Sequence, residues 1–172
     1  PNRPAADPAV VYPGQCLLEG ANLSEGRGTT RPFELCGAPW IDPRELVRRL
    51  EADNLPGVRF RPAWFRPTFQ KFAGQDCGGE QLHVTDREAF RPVRTGLVVL
   101  ARLRELSGTR FAWRTEEYEF VTDRPAIDLL FGSHRERLAL DAGLPWQEIA
   151  AAWEPEEAAF RSRRESFLMY PD

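Results

Sequence analysis

The stretch PVRTGLVVLARLREL, residues 92–106, carries the clearest secondary-structure pattern in this sequence of 172 residues. Its apolar side chains recur near the 3.6-residue period of an α-helix, at Val93, Leu97, Leu100, Leu103 and Leu106. Arg102, Arg104 and Glu105 lie between them and are expected to face water. We therefore predict a long helix that turns its apolar face to the core.

Strand patterns precede and follow this helix. In GVRFRPAWF (57–65), Val58, Phe60 and Trp64 share one parity, and Pro62 restricts the strand to an edge or a bulge. QLHVTD (81–86) alternates as a second strand, in which His83 is a satisfied or exposed strand residue. The consecutive apolar residues of QCLLEG (15–20) predict a short buried strand. FAW (111–113) and YEFV (118–121) are further candidate strands.

Two other regions are predicted to be helical. In IDPRELVRRLEADNLPG (41–57), Asp42 is placed to cap the helix and Pro43 fits its first turn. The segments after Pro125, Pro145 and Pro155 read as short helices, and Ser133 and Glu136 have capping-box spacing. Three aromatic residues recur every seven positions and predict a core-facing helical stripe: Trp153, Phe160 and Phe167. Trp64 and Trp146 are also expected in the core, and Trp40 and Trp113 stay open.

These elements predict one α+β domain, with a small mixed or antiparallel sheet and several packed helices. The opening PNRPAADPA reads as a linker-like tail over residues 1–9, so the domain is expected to span 10–172. A net charge of −3 gives no electrostatic case for nucleic acid. No apolar run reaches the roughly 20 residues of a membrane span.

The cysteines and histidines predict no metal site. Cys16, Cys36 and Cys77 are too scattered for zinc and too few for a disulfide scaffold. Their pattern allows one disulfide with one thiol, and equally three thiols. His83 and His134 have no metal-ligand spacing.

A polar loop, EGANLSEGRGTTRPFE at residues 19–34, is the main candidate for binding. It matches neither the phosphate loop G-x-x-x-x-G-K-[ST] nor the dinucleotide motif G-x-G-x-x-G, so no nucleotide cofactor is predicted. Asn22, Ser24 and Thr29 offer the donors and acceptors that a sugar needs. Arg27 and Arg31 suit a carboxylate. In the alternative interpretation, Asn22 and Ser24 bond their own turns, and the arginines pair with Glu25 and Glu34.

Catalytic candidates are few. Glu19, at the mouth of the loop, is the one carboxylate that we would test for chemistry, and pairing with Arg27 or Arg31 is its alternative role. Lys71 and Asp86 flank a second loop and can reach the first, unless they form a solvated surface pair. No Ser/His/Asp or Cys/His arrangement is readable.

The segment EGANLSEGRGTTRPFELCGAPWID (19–42) resembles the opening of the C-terminal domain of exo-β-N-acetylmuramidases of the NamZ type. The similarity continues through residues 56–97, YEF (118–120), PAIDLLFG (125–132) and FRSRRESFLMY (160–170). Ala21 stands where the family usually has threonine, which removes a hydroxyl, and Phe167 stands where tyrosine is common.

The resemblance implies a two-domain glycosidase. A Rossmann-like N-terminal domain would carry the main catalytic carboxylate. The active site would lie in the cleft between the domains, and the enzyme would release terminal N-acetylmuramic acid from the non-reducing end of peptidoglycan fragments. We expect the present chain alone to be inactive or nearly so, and the protein to act in the cell envelope, periplasmic or secreted. The expected substrate contacts are Asn22, Ser24, Arg27, Gly28, Thr29, Arg31, Lys71 and Asp86.

N-acetylmuramic acid differs from N-acetylglucosamine by a lactyl ether that ends in a carboxylate. We therefore expect Arg27 or Arg31 to read that group. Two alternatives stay open. The chain can be a non-catalytic cell-wall saccharide-binding module, or a scaffold domain that only docks its N-terminal half.

Overall fold

The computed structural model describes residues 7–170, and the predicted long helix lies at its centre as α3, Pro92–Ser107. The helix is buried on nearly every side, since Val98 and Val99 are as inaccessible as Leu97 and Leu100. Val93, predicted to face the core, is 41% exposed. Arg102, predicted to face water, donates two hydrogen bonds to Asp53, at 2.8 and 2.6 Å. The helix prediction is confirmed, whereas its single-face assignment is too simple.

The sheet has three antiparallel strands in the order β1–β3–β2, which confirms the predicted α+β class. The strands are β1 (Leu35–Ala38), β2 (Val58–Phe65) and β3 (Cys77–Val84). The β3 strand therefore begins earlier than the alternation at 81–86 indicated. Pro62 lies in an edge strand, where its missing N–H leaves no gap in the ladder.

The core assignment of Trp64 is wrong, because its side chain is 64% exposed while the adjacent Ala63 is buried. Trp64 pairs with Gly78 of β3. A side chain at Gly78 would lie 2.2 Å from the Ile41 carbonyl oxygen and 2.9 Å from Pro43. Ile41 and Pro43 therefore occupy the space over Gly78, and the Trp64 ring is exposed to solvent.

The N-terminal segment is helical. The α1 helix spans Asp7–Gln15, and QCLLEG continues it as a 3₁₀ helix over Cys16–Gly20, so the strand prediction there is wrong. Leu17 and Leu18 are consecutive and buried because the segment is covered on all sides. Of the predicted tail, residues 7–9 belong to α1 and residues 1–6 lie outside the described chain.

Two glycines let α1 and α3 touch through their backbones. A Cβ atom at Gly14 would lie 1.8 Å from the carbonyl oxygen of Pro92, and one at Gly96 would lie 2.1 Å from the carbonyl oxygen of Gly14. No side chain fits in that space. This contact holds α1, and hence the start of the polar loop, against the central helix.

The α2 helix, Pro43–Ala52, agrees with its prediction. The Asp42 carboxylate accepts hydrogen bonds from the N–H groups of Arg44 and Glu45, at 2.9 and 3.4 Å, and so caps the helix. Its apolar side covers the sheet, and Leu46 and Leu50 are fully buried.

The C-terminal third contains short helices: α4 (Ala126–Phe131), α5 (Arg135–Asp141), α6 (Trp146–Ala151) and α7 (Glu154–Arg164). They begin near the predicted prolines. The capping box before α5 forms only in part: Ser133 Oγ accepts from Arg135 N–H at 2.9 Å, but the Glu136 carboxylate accepts from Trp153 Nε1 at 3.0 Å. The segments 111–113 and 118–121 contribute isolated bridges, not strands.

The predicted aromatic stripe is wrong beyond its first member. Trp153 packs against Phe131, with ring centroids 6.5 Å apart, but Phe160 is 56% and Phe167 79% exposed. The α7 helix buries none of its residues. All three cysteines are thiols. None of the helices between residues 7 and 170 has the length and hydropathy of a membrane span.

Candidate functional site

The polar loop packs against the loop between β2 and β3, residues 66–76. Gly28 adopts φ +82°, and a Cβ there would lie 2.6 Å from the carbonyl oxygen of Phe69. Its own carbonyl accepts hydrogen bonds from the backbone N–H and the hydroxyl of Thr68, both at 2.9 Å. Glycine is required here by both conformation and space.

The predicted sugar-binding side chains shape the loop itself. Both ends of the Asn22 amide hold a distant segment: Nδ2 donates to the Arg110 carbonyl at 2.8 Å, and Oδ1 accepts from Ala112 N–H at 2.9 Å. Ser24 Oγ accepts from Gly26 N–H, and Thr29 Oγ1 donates to the Gly26 carbonyl. The turn interpretation is confirmed for Ser24, whereas Asn22 bonds a segment remote in sequence. Their contact with a ligand stays a prediction.

Behind the loop lies an ionic network of two carboxylates and two cations. Arg27 Nη2 donates to Glu19 Oε1 at 2.8 Å, and its Nε lies 3.3 Å from Glu25 Oε1. Lys71 Nζ donates to the other oxygen of Glu25 at 3.1 Å. The Tyr118 hydroxyl donates to Glu19 Oε2 at 3.0 Å. The alternative role of Glu19, as a partner of Arg27, is therefore confirmed, and so is the pairing of Arg27 with Glu25.

Lys71 is the only lysine in a chain with 22 arginines. Besides Glu25, its ammonium donates to the carbonyls of Leu18 and Leu23, both at 3.0 Å, and approaches the Glu19 carbonyl at 3.4 Å. Three donors on a compact head fit this cage, which a planar guanidinium does not. Burial lowers the pKa of Lys71, and Glu25 beside it opposes that shift. Lys71 thus reaches the first loop as predicted, and it ties the loop to its base.

Arg31 and Asp86 lie elsewhere. Arg31 pairs with Glu34 at 3.2 Å and lines a separate groove of about 320 Å³ together with His83 and Arg87. The Asp86 carboxylate accepts from the N–H groups of Glu88 and Ala89, at 2.9 and 3.2 Å, and caps the turn after β3. The structure therefore does not bring these two predicted residues to Lys71. It confirms the Arg31–Glu34 pairing.

A cleft of about 570 Å³ opens beside Lys71 and Asn22. Its opposite side is the segment 112–116, and its floor includes Phe72, which packs edge-on against Trp40 at 5.4 Å. Gln70 and Phe72 hold φ of +68° and +59°, a conformation that non-glycine residues adopt at a cost. The cleft thus combines an amide, a cation and aromatic surface, which is the mixture that saccharides bind.

Sequence reasoning missed Arg114 and Tyr118. Arg114 lines the cleft, its backbone N–H donates to the Gly20 carbonyl at 2.9 Å, and its guanidinium lies 5.2 Å from the centre of the Tyr118 ring. Burial and the adjacent Glu19 raise the pKa of Tyr118. No local pattern signals these contacts, because Tyr118 and Glu19 are 99 residues apart. Tyr118 does lie in YEF (118–120), one of the segments that resemble the family.

Within residues 7–170, no cluster of three or more His, Cys, Asp or Glu side chains could hold a metal ion. Glu80 is a fully buried acid on the core side of the sheet, opposite the Cys36 thiol. Within residues 7–170 no hydrogen bond to its carboxyl oxygens is formed, and burial raises its pKa well above the usual range. This describes a neutral acid in the core and not a ligand group.

The fold and sequence match known proteins along almost the whole chain. The chain is 41% identical over 170 residues to the peptidoglycan β-N-acetylmuramidase NamZ of Bacillus subtilis (strain 168), covering 99% of this chain and 39% of that protein. It therefore spans about two fifths of the length of that relative.

Two crystal structures of DUF1343 family proteins from Bacteroides fragilis NCTC 9343 share the fold. One superimposes with a TM-score of 0.81 at 24% identity, over 95% of this chain and 42% of the other. The second has a TM-score of 0.69 at 23% identity, over 100% of this chain and 43% of the other. The family model described as exo-β-N-acetylmuramidase NamZ, C-terminal, matches residues 10–170. The chain therefore belongs to the family of NamZ C-terminal domains.

Proposed function

We propose that this domain forms one wall of the pocket that binds a terminal N-acetylmuramic acid in a peptidoglycan exo-β-N-acetylmuramidase. The observation that carries the proposal is the cleft between Lys71 and the segment 112–116, at the base of the loop that resembles the family signature. An acetamido sugar presents amide, hydroxyl and apolar surfaces, and the cleft offers a counterpart to each. The named activity of the B. subtilis relative supports the substrate class.

The catalytic carboxylate is proposed to lie outside this chain. Glu19 accepts hydrogen bonds from Arg27 and Tyr118, so both of its oxygens are already used. Both oxygens of Glu25 also have partners: Oε1 lies 3.3 Å from Arg27 Nε, and Oε2 lies 3.1 Å from Lys71 Nζ. A general acid must be able to reach the glycosidic oxygen of the substrate, and both of these carboxylates are held by their partners instead. The network therefore suits a scaffold for the loop.

The proposed partner is an N-terminal domain of the same protein, which would supply the facing wall and the catalytic acid. The domain covers about two fifths of its B. subtilis relative, which leaves room for such a domain. We propose a location in the cell envelope or outside the cell, because peptidoglycan fragments are produced there.

An NMR titration with a disaccharide capped by N-acetylmuramic acid tests the proposal. The Trp113 indole signal should shift, because Trp113 lines the cleft, whereas that of Trp64, exposed on the edge strand, should not. No new anomeric signal should appear with this chain alone, and turnover should require the complete protein.

Cleavage by this chain alone would place the catalytic carboxylates within it. The assignment of the acid to another domain would then be wrong. Absence of any shift, in the chain and in the complete protein alike, would remove the cleft from the substrate site and favour the scaffold alternative.

A further inference from the structure

The carboxylate of N-acetylmuramic acid needs a cation that is not already neutralised. Arg27 does not meet this requirement, because two largely buried carboxylates lie within 3.3 Å of its guanidinium. Arg31 is paired with the buried Glu34 and faces the other groove. Lys71 spends its donors on Glu25 and backbone carbonyls. Each of these groups is paired with a buried carboxylate, so none is free to bind a second one.

Arg114 differs from these cations in its environment. It lines the cleft, and its nearest acid is Glu116, whose Oε2 is 4.0 Å from Arg114 Nε and whose side chain is 78% exposed. Such a solvated pair is weak and is readily exchanged for another carboxylate. Glu116 is the one acid among the residues that line the cleft, and Lys71 is already paired with Glu25 behind it.

The guanidinium of Arg114 is also held in place. Its Nη2 donates to the Glu117 carbonyl at 3.0 Å, and its plane centre lies 5.2 Å from the Tyr118 ring. Tyr118 is in turn fixed by its hydrogen bond to Glu19. A guanidinium positioned by stacking loses less entropy when it binds a planar anion. The buried network thus supports Arg114 indirectly, through Tyr118.

We propose that Arg114 is the residue that distinguishes N-acetylmuramic acid from N-acetylglucosamine, by binding the lactyl carboxylate in this cleft. The proposal rests on the proposed function, since it assigns a specificity to the same pocket. It replaces Arg27 and Arg31 in that role. Arg27 becomes a positioning residue, which acts on Arg114 through Glu19 and Tyr118.

The test compares two substrates in the complete protein: 4-nitrophenyl N-acetyl-β-muramide and its lactyl methyl ester, which lacks the charge. Arg114→Gln should lower kcat/KM for the acid by about 10- to 100-fold, the range expected for a charge-assisted bidentate contact. It should change kcat/KM for the ester by less than about threefold. Arg114→Lys, which keeps the charge but loses the fork, should fall between these values.

Arg124→Gln is the matched control, because it removes the same charge from an arginine that is 62% exposed and whose partner within residues 7–170 is Asp123, at 3.7 Å. It should leave the preference for the acid unchanged. Equal losses on acid and ester in Arg114→Gln, or an unchanged preference, would overturn the assignment to Arg114. Failure of the wild-type protein to hydrolyse either substrate would instead overturn the proposed function.

Discussion

Replacing Lys71 by methionine removes the ammonium that ties the polar loop to its base. The stem keeps its length and its apolar contacts, so the change isolates the charged head. The lost contacts are those to the carbonyls of Leu18 and Leu23, both at 3.0 Å, and to the Glu25 carboxylate at 3.1 Å. Glu25 keeps Arg27 as a cationic neighbour. The carbonyls of Leu18 and Leu23 each lose a donor, and that of Leu18 keeps the Ala21 N–H, at 3.2 Å.

The expected cost follows from these contacts. Hydrogen bonds to a charged group contribute about 1.5–3 kcal/mol each, and breaking a buried pair costs about 3–5 kcal/mol. Because the Lys71 side chain is 23% exposed, water can replace part of what is lost. We therefore expect the free energy of unfolding to fall by about 3 kcal/mol. At about 2–4 °C per kcal/mol for a chain of this size, Tm should fall by about 6–12 °C.

Thermal unfolding followed by circular dichroism measures this directly. Lys71→Arg keeps the charge but cannot place three donors in the cage, so it should recover only part of the loss. Arg66→Met is the control, since Arg66 and its partner Asp76 are both largely exposed, at 62% and 74%, and lie on the same loop as Lys71. Its Tm should stay near that of the wild type. A Lys71→Met protein that melts within about 2 °C of the wild type would refute the role given to the cage.

Three further changes test other parts of the fold. The stability of Glu80→Gln relative to the wild type should increase as pH rises above about 4.5. Burial raises the pKa of Glu80 in the folded state above its unfolded value, so the wild type loses stability as pH rises through that range and the glutamine variant does not. A pH-independent difference in Tm would contradict this. Gly96→Ala should lower Tm despite a gain of about 1 kcal/mol in helix propensity, since its Cβ would lie 2.1 Å from the Gly14 carbonyl oxygen, and an unchanged or higher Tm would show that α1 moves aside freely. Asp42→Ala should cost about 1 kcal/mol through the lost cap of α2, or about 2–4 °C in a thermal melt, and no change would mean that water replaces the cap.

The fold was predictable wherever a period or a cap acts locally. The α2 helix follows from Asp42 and its apolar spacing, and α3 from the leucine repeat, although the burial of its remaining sides depends on elements far along the chain. The 3₁₀ helix at Cys16–Gly20 was not predictable, since a short run of buried apolar residues fits a strand equally well. Trp64 was misplaced because packing above Gly78, and not strand parity, decides its exposure.

The candidate site was predictable only in part, for a related reason. The loop and Lys71 stand out by composition, so sequence could nominate them. Arg27 lies in the ionic network, whereas Arg31 lines a separate groove. The contacts of the segment 112–118 with the loop join residues that are 90 to 99 positions apart in sequence. Spacing within a segment contains no information about such contacts.

The touching backbones of Gly14 and Gly96 have a consequence for the order of folding. During synthesis α1 and the polar loop emerge before α3. Until α3 is complete, Gly14 lacks the backbone that it packs against, and the side chains of Leu17 and Leu18 cannot be fully buried. The start of the domain therefore cannot form the contact that fixes it until the central helix has been made.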